Sequence, residues 1–179
     1  MLTLVLGGAR SGKSGFAESL GAGARRVAYI ATLRPEDDEM RERVARHRSR
    51  RRADWLTIEE PLDIAGAAER GAAECDFLLL DCLTVWLSNL CASRPEDSAD
   101  ALWAVASREF ARFVSCAAGR DCVVVTNELG CGLVPSFPLG RLFRDLQGWL
   151  NQEAARAADC VYQVVAGIPV ALKRPEAAR

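Results

Sequence analysis

The chain has 179 residues, half of them apolar and 26% charged, and its 23 basic residues against 24 acidic ones leave a net charge of −1. That size and mix fit one globular domain with a sizeable core, expected over residues 1–174, with 175–179 as a disordered tail. The charge balance gives no general attraction to nucleic acid or membrane, no apolar run approaches the ~20 residues a spanning helix needs, and residues 1–6 are too short for a signal peptide.

In chain order, "LTLVL" (2–6) reads as a strand running into the glycine-rich "GGARSGKSGF" (7–16), with a helix over about 13–22. "RVAYIA" (26–31) reads as a second strand. "PEDDEMRERVARHRSR" (35–50) reads as a helix: Pro35 can start it, and Glu36, Asp37 and Asp38 suit the positive end of its dipole. "DWLTIEEP" (54–61) is a short extended piece stopped by Pro61, and 62–73 looks helical. "FLLLDCLT" (77–84) is a continuous apolar run meeting an acid, the pattern of a strand buried on both faces. Helices follow at 83–92 and 98–117, then the strand "CVVVTNE" (122–128) and the Gly/Pro-rich loop "LGCGLVPSFP" (129–138). A long amphipathic helix spans 139–157, and strands are expected at 159–167 and 169–173. Strands alternating with helices predict an α/β fold, a P-loop NTPase-like three-layer sandwich with a mostly parallel central sheet and right-handed crossovers.

Gly7-x-x-x-x-Gly12-Lys13-Ser14 fits G-x(4)-G-K-[ST] without a mismatch. Glycines let backbone N–H groups curl around a β-phosphate, so Gly7, Gly8, Ala9, Arg10, Ser11 and Gly12 are expected to line a nucleotide. Lys13 reaches β/γ-oxygens, the Ser14 hydroxyl ligates Mg²⁺, and the following helix points its positive end at the anion. The only other lysine is Lys173; every other basic residue is arginine. Asp81 ends "FLLLD" like a Walker B acid and is the second candidate Mg²⁺ ligand. Asn127 and Glu128 fall at the C-terminal edge of a strand, where α/β proteins place ligands. Glu128 could serve a substrate hydroxyl or be a loop acid satisfied by glycine N–H groups.

Seven cysteines, an odd number with no C-x-x-C pair, and a single histidine argue against a Cys/His metal site. They read as reduced thiols filling a cytoplasmic protein's core. The histidine, His47, sits among seven arginines between 41 and 52. Three readings stand: a solvated helix face, a short nucleic-acid patch, or an imidazole nucleophile toward phosphorus whose arginine neighbours absorb phosphate charge and favour the neutral ring.

The chain resembles the bifunctional adenosylcobinamide kinase / adenosylcobinamide-phosphate guanylyltransferase family. The matching text is "GGARSGKS" (7–14), "YIAT" (29–32), "DDEM" (37–40), "HRxxR" (47–51), "WLTIEEP" (55–61), "LLLDCLT" (78–84), "VVTNELGCGLVP" (124–135), "FRDLQGWLNQ" (143–152) and "AGIPVALK" (166–173), in order over nearly the whole length. The resemblance implies two reactions. ATP or GTP phosphorylates the hydroxyl of the aminopropanol arm of adenosylcobinamide. GMP is then transferred from GTP to that phosphate through a guanylylated histidine, here His47. It also implies that Arg48, Ser49, Arg50 and Arg51 meet nucleotide phosphates. Thr32, Leu33 and Arg34, and Glu59 or Glu60 with Asp81 or Cys82, line the guanine-nucleotide site. A homotrimer is implied too. Two positions depart from the family: Arg52 stands where a proline is common, and Asp81 where relatives can carry glutamate. Two other classes remain as rivals: a small-molecule kinase with no covalent histidine, and a GTP-binding switch, which would want N-K-x-D where this chain's "TN" stretch reads "TNEL".

Overall fold

A computed structural model describes residues 1–34 and 52–175. Its strands are β1 (Leu2–Gly7), β2 (Val27–Ala31), β3 (Leu56–Glu59), β4 (Phe77–Asp81), β5 (Asp121–Asn127), β6 (Cys160–Val165) and β7 (Ile168–Lys173). The described helices are α1 (Lys13–Leu20), α2 (Ile64–Glu74), α3 (Leu83–Ala92), α4 (Ala99–Cys116) and α5 (Pro138–Ala157). The predicted helix at 35–50 and, apart from exposed Pro175, the predicted tail lie outside the described residues.

All seven strands share one sheet in the order β3-β2-β4-β5-β1-β6-β7. Every pairing is parallel except β6 with β7. The central strands are apolar on both sides because both faces are covered. Leu4, Leu78, Leu80 and Val124 pack toward α2–α5, while Val5, Phe77, Leu79, Val123 and Val125 pack on the α1 side with Ala17. Each large apolar side chain so buried contributes roughly 1.5–3 kcal/mol, which is why β4 and β5 form the spine. The short piece expected at 54–61 is a full edge strand, with Ala28 opposite Leu56 and Ala31 opposite Glu59.

Helix starts follow local chemistry. Asp63 caps α2 by accepting from the Gly66 N–H at 3.0 Å, Ser98 caps α4 from the Ala101 N–H at 3.2 Å, and Pro138 opens α5. All seven cysteines are free thiols; Cys75, Cys82, Cys122 and Cys160 are buried and Cys131 is exposed. No helix among the described residues is long and apolar enough to cross a membrane.

Candidate nucleotide site

β1 ends at Gly7 and α1 starts at Lys13, so the intervening turn lies at the C-terminal edge of the sheet's interior. Arg10 (φ 57°) and Gly12 (φ 96°) take left-handed backbone, which curls the segment. A Cβ on Gly7 would stand 2.6 Å from both Ser11 Oγ and the Val164 carbonyl, so no side chain fits there. The Ser11 N–H donates to the Gly8 carbonyl at 3.3 Å, and the Lys13 ammonium donates to the same carbonyl at 3.0 Å. The Phe16 N–H to Gly12 carbonyl bond (3.1 Å) begins α1, leaving the first N–H groups of the helix directed at the turn. Among the described residues, nothing lies within 4 Å of a Cβ added at Gly8, and the buried Ser11 Oγ has no partner. This is an anion cradle with a cation at its lip.

The ends of β2 and β4 meet next to it. The Thr32 N–H donates to the Asp81 carbonyl at 3.1 Å. The buried Thr32 hydroxyl donates to the Cys82 carbonyl and accepts from the Cys82 N–H, each at 2.9 Å. Asn89 donates to the Thr32 carbonyl at 2.8 Å and to the Pro61 carbonyl at 3.1 Å, and Trp86 Nε1 donates to the Leu62 carbonyl at 2.8 Å. Asp81 Oδ2 accepts from the buried Tyr29 hydroxyl at 2.5 Å, and the Tyr29 ring stacks on Trp55. The hydroxyl of Ser14 and the carboxylate of Asp81 are hard oxygen donors, the kind Mg²⁺ takes one or two of beside phosphate and water oxygens.

The structure gathers Gly7–Ser14, Thr32, Asp81 and Cys82 at one sheet edge, with Leu33 and exposed Arg34 following directly. The Thr32 hydroxyl and the Glu60 carboxylate are both committed to the protein. Glu60 Oε1 accepts from the Leu62 and Asp63 N–H groups (3.1 and 3.0 Å), and Oε2 pairs with Arg70 at 3.3 Å. Burial among apolar side chains pushes the Cys82 thiol up to about 12. Glu128 Oε1 accepts from the Gly130 N–H at 2.6 Å, the arrangement of a loop acid satisfied by glycine. His47, Arg48, Ser49, Arg50 and Arg51 lie outside the described residues. Arg52 forks onto Asp54 (3.1 and 2.7 Å) and donates to the Ala22 carbonyl at 3.1 Å. That guanidinium holds the Asp54 carboxyl below its ordinary value.

Three contributors were not singled out in the sequence. Tyr29 is the partner of Asp81, and nothing in "RVAYIA" separates it from its apolar neighbours. Asn89, inside a helix, gives no local sign of its role. Gly167 falls inside the strand expected at 159–167, although "AG" between two strand-like runs is a signal for a two-residue hairpin turn. Ala166 (φ 50°) and Gly167 (φ 82°) make that turn, and the Gly167 N–H donates to the Ser11 carbonyl at 2.8 Å. A Cβ on Gly12 would stand 3.1 Å from Gly167 Cα. The last hairpin therefore leans on the phosphate cradle.

Comparison with known proteins agrees with this geometry. A family model described as "Cobinamide kinase / cobinamide phosphate guanyltransferase" matches residues 3–172. The chain is 42% identical to the bifunctional adenosylcobalamin biosynthesis protein CobP of Pseudomonas aeruginosa, over 97% of this chain and 98% of that one. It is 42% identical to the CobU protein of the same description from Salmonella typhimurium and 39% identical to that of Escherichia coli, each over 97% of this chain and 100% of the relative. Among solved structures, an ATPase from the type III secretion system of pathogenic bacteria superposes with a TM-score of 0.57 at 11% identity, over 95% of this chain. The chain spans 56% of that structure's length, and the likeness is one of fold.

Proposed function

The chain belongs to the cobinamide kinase / cobinamide phosphate guanyltransferase family, and from that premise we propose how its residues divide two transfers at phosphorus. The chain is an adenosylcobinamide kinase and adenosylcobinamide-phosphate guanylyltransferase. In the first transfer the hydroxyl oxygen of adenosylcobinamide attacks the γ-phosphorus of ATP or GTP. The bond from γ-phosphorus to the bridging oxygen breaks, the nucleoside diphosphate leaves, and the hydroxyl proton is lost. In the second, a nitrogen of His47 attacks the α-phosphorus of GTP and pyrophosphate leaves. A phosphate oxygen of the corrinoid then attacks that α-phosphorus, the N–P bond breaks, and adenosylcobinamide-GDP is released.

The observation that carries this reading is the cradle: a left-handed turn from Gly8 to Gly12, a helix start, and Lys13 at its lip. Lys13 and the backbone N–H groups of 8–14 offset phosphate charge in both transfers. Ser14 and Asp81 would hold Mg²⁺, which would supply positive charge to offset that of the phosphates. Thr32, Glu60 and Cys82 build the wall beside it through the contacts they make to the protein. Arg48, Ser49, Arg50 and Arg51 would accompany His47 at the nucleotide phosphates, with Leu33 and Arg34 at the mouth. Residues 1–174 act as one nucleotide-binding unit, assembled as a trimer in the cytoplasm, where nucleoside triphosphates are available.

The test uses GTP labelled at the α-phosphate. The unaltered protein should acquire an acid-labile label, His47→Ala none, and Lys13→Ala much less. Label persisting in His47→Ala would remove His47 from its role. Phosphorylated corrinoid formed by His47→Ala from ATP would show that the first transfer is separable.

A further inference from the structure

Side chains along β5 alternate. Cys122 and Val124 turn toward α2–α5, as does Thr126, while Val123 and Val125 turn toward α1. Asn127 continues the second series, onto the face where α1 begins with Lys13 and Ser14. Along β4, Phe77 and Leu79 set the same face for Asp81. In register, Asn127 stands opposite Gly7 on one side, and Asp81 stands opposite Val125 on the other. Asn127 therefore projects between the phosphate cradle and the Asp81 carboxylate, one step further out.

Its backbone is held from the opposite face. The Asn127 N–H donates to Thr84 Oγ1 at 2.8 Å, and its carbonyl accepts from Asn151 Nδ2 at 3.0 Å. Both anchors belong to a buried polar network. Thr126 Oγ1 donates to Asn151 Oδ1 at 2.7 Å, and Gln147 Nε2 donates to Asn151 Oδ1 and to Thr126 Oγ1 at 2.9 and 3.0 Å. Gln147 is fully buried, and its Oε1 has no donor among the described residues. Apolar side chains would fill this space with less penalty, since buried polar groups are tolerated only where their hydrogen bonds are made. What the network achieves is a rigid strand end. The next residue is fixed as well, because the Glu128 N–H donates to the Gly7 carbonyl at 3.1 Å. By contrast, the half-buried Asn127 carboxamide makes no hydrogen bond among the described residues.

We propose that Asn127 is a further catalytic residue: its carboxamide N–H donates to the terminal phosphate of the triphosphate in the cradle, and Thr84 and Asn151 are the positioning residues that hold it there. The proposal rests on the cradle reading above. A neutral donor at that point favours a triphosphate over a diphosphate, and it keeps its contact as charge redistributes during transfer.

The experiment measures dissociation constants for ADP and for a non-hydrolysable ATP analogue by calorimetry on the full chain. Asn127→Ala should lower the preference for the triphosphate about tenfold, as expected for one hydrogen bond to a charged group, while ADP binding stays within about twofold. Asn127→Asp should lower it further by placing a carboxylate against the phosphate. Thr84→Val should shift the preference in the same direction, and Thr84→Ser, which keeps the hydroxyl, should restore it; a merely structural role for Thr84 would not move the ratio. An unchanged preference in Asn127→Ala overturns the proposal. Binding of neither nucleotide by the unaltered chain overturns the cradle reading with it, whereas loss of both only in Lys13→Ala leaves that reading standing.

Discussion

Thr32→Val tests whether the junction of β2, β4 and α3 is held by one hydroxyl. Thr32 is fully buried, and its Oγ1 bridges the N–H and the carbonyl of Cys82. Valine keeps the shape and removes the bridge. The Cys82 carbonyl retains the Trp86 N–H at 3.1 Å, so it loses only a second bond, worth about 1 kcal/mol. The Cys82 N–H loses its acceptor altogether, at about 2 kcal/mol. The extra buried methyl returns about 1 kcal/mol. The net loss is about 2 kcal/mol, or roughly 4–8 °C in midpoint for a chain of this length. Urea unfolding at an unchanged slope would measure it, and hydrogen exchange at the Cys82 amide would localise it. Thr32→Ser should leave that amide protected. Nucleotide affinity measured well below the transition should stay within about twofold, because the hydroxyl is already committed to Cys82. A Thr32→Val protein within about 0.5 kcal/mol of the original, or with the Cys82 amide still protected, would refute the reasoning.

Other substitutions and conditions probe neighbouring parts of the site. Tyr29→Phe keeps the stack on Trp55 but strips Asp81 of its phenolic donor, so the Mg²⁺ concentration for half-maximal kinase activity should rise about tenfold while metal-free nucleotide binding is unchanged; a metal titration checks both. Gly12→Ala puts a side chain at φ 96° and 3.1 Å from Gly167 Cα, and should weaken ATP binding by at least about tenfold, whereas Gly167→Ala meets no atom within 4 Å and should cost only about 1 kcal/mol of stability. Burial pushes the Cys82 and Cys122 thiols up to about 12, from an ordinary 9.0. The folded chain then holds protons that the unfolded chain releases, so stability should be level below pH 9 and fall as pH rises from 9 toward 12. The slope is up to about 1.4 kcal/mol per pH unit for each thiol, read from urea midpoints at successive pH values.

Strand-length apolar runs such as "FLLLD" and "CVVVTN" made the sheet's interior legible, since only a strand covered on both faces reads so uniformly. The cradle was legible because its spacing is dictated by phosphate geometry. The parts that escaped are those where one side chain's task depends on a distant neighbour. Thr32 and Glu60 stood in stretches that match the family, yet their polar atoms are spent on Cys82 and on the start of α2. Thr84, Thr126, Gln147 and Asn151 come from three separate elements, and no local pattern announces that they converge. Tyr29 and Asp81 are 52 positions apart and meet only because β2 and β4 pair.

The phosphate loop is gripped on two flanks by chain made much later. Glu128 ties down Gly7 from one side, and Gly167 ties down Ser11 from the other. The nucleotide pocket is thus completed only after β5 and the β6–β7 turn have been made, well after its own signature motif. A nascent chain halted before β6 carries the complete motif and lacks one of the two struts that give it shape, so it should emerge without a competent grip on ATP until the final hairpin closes.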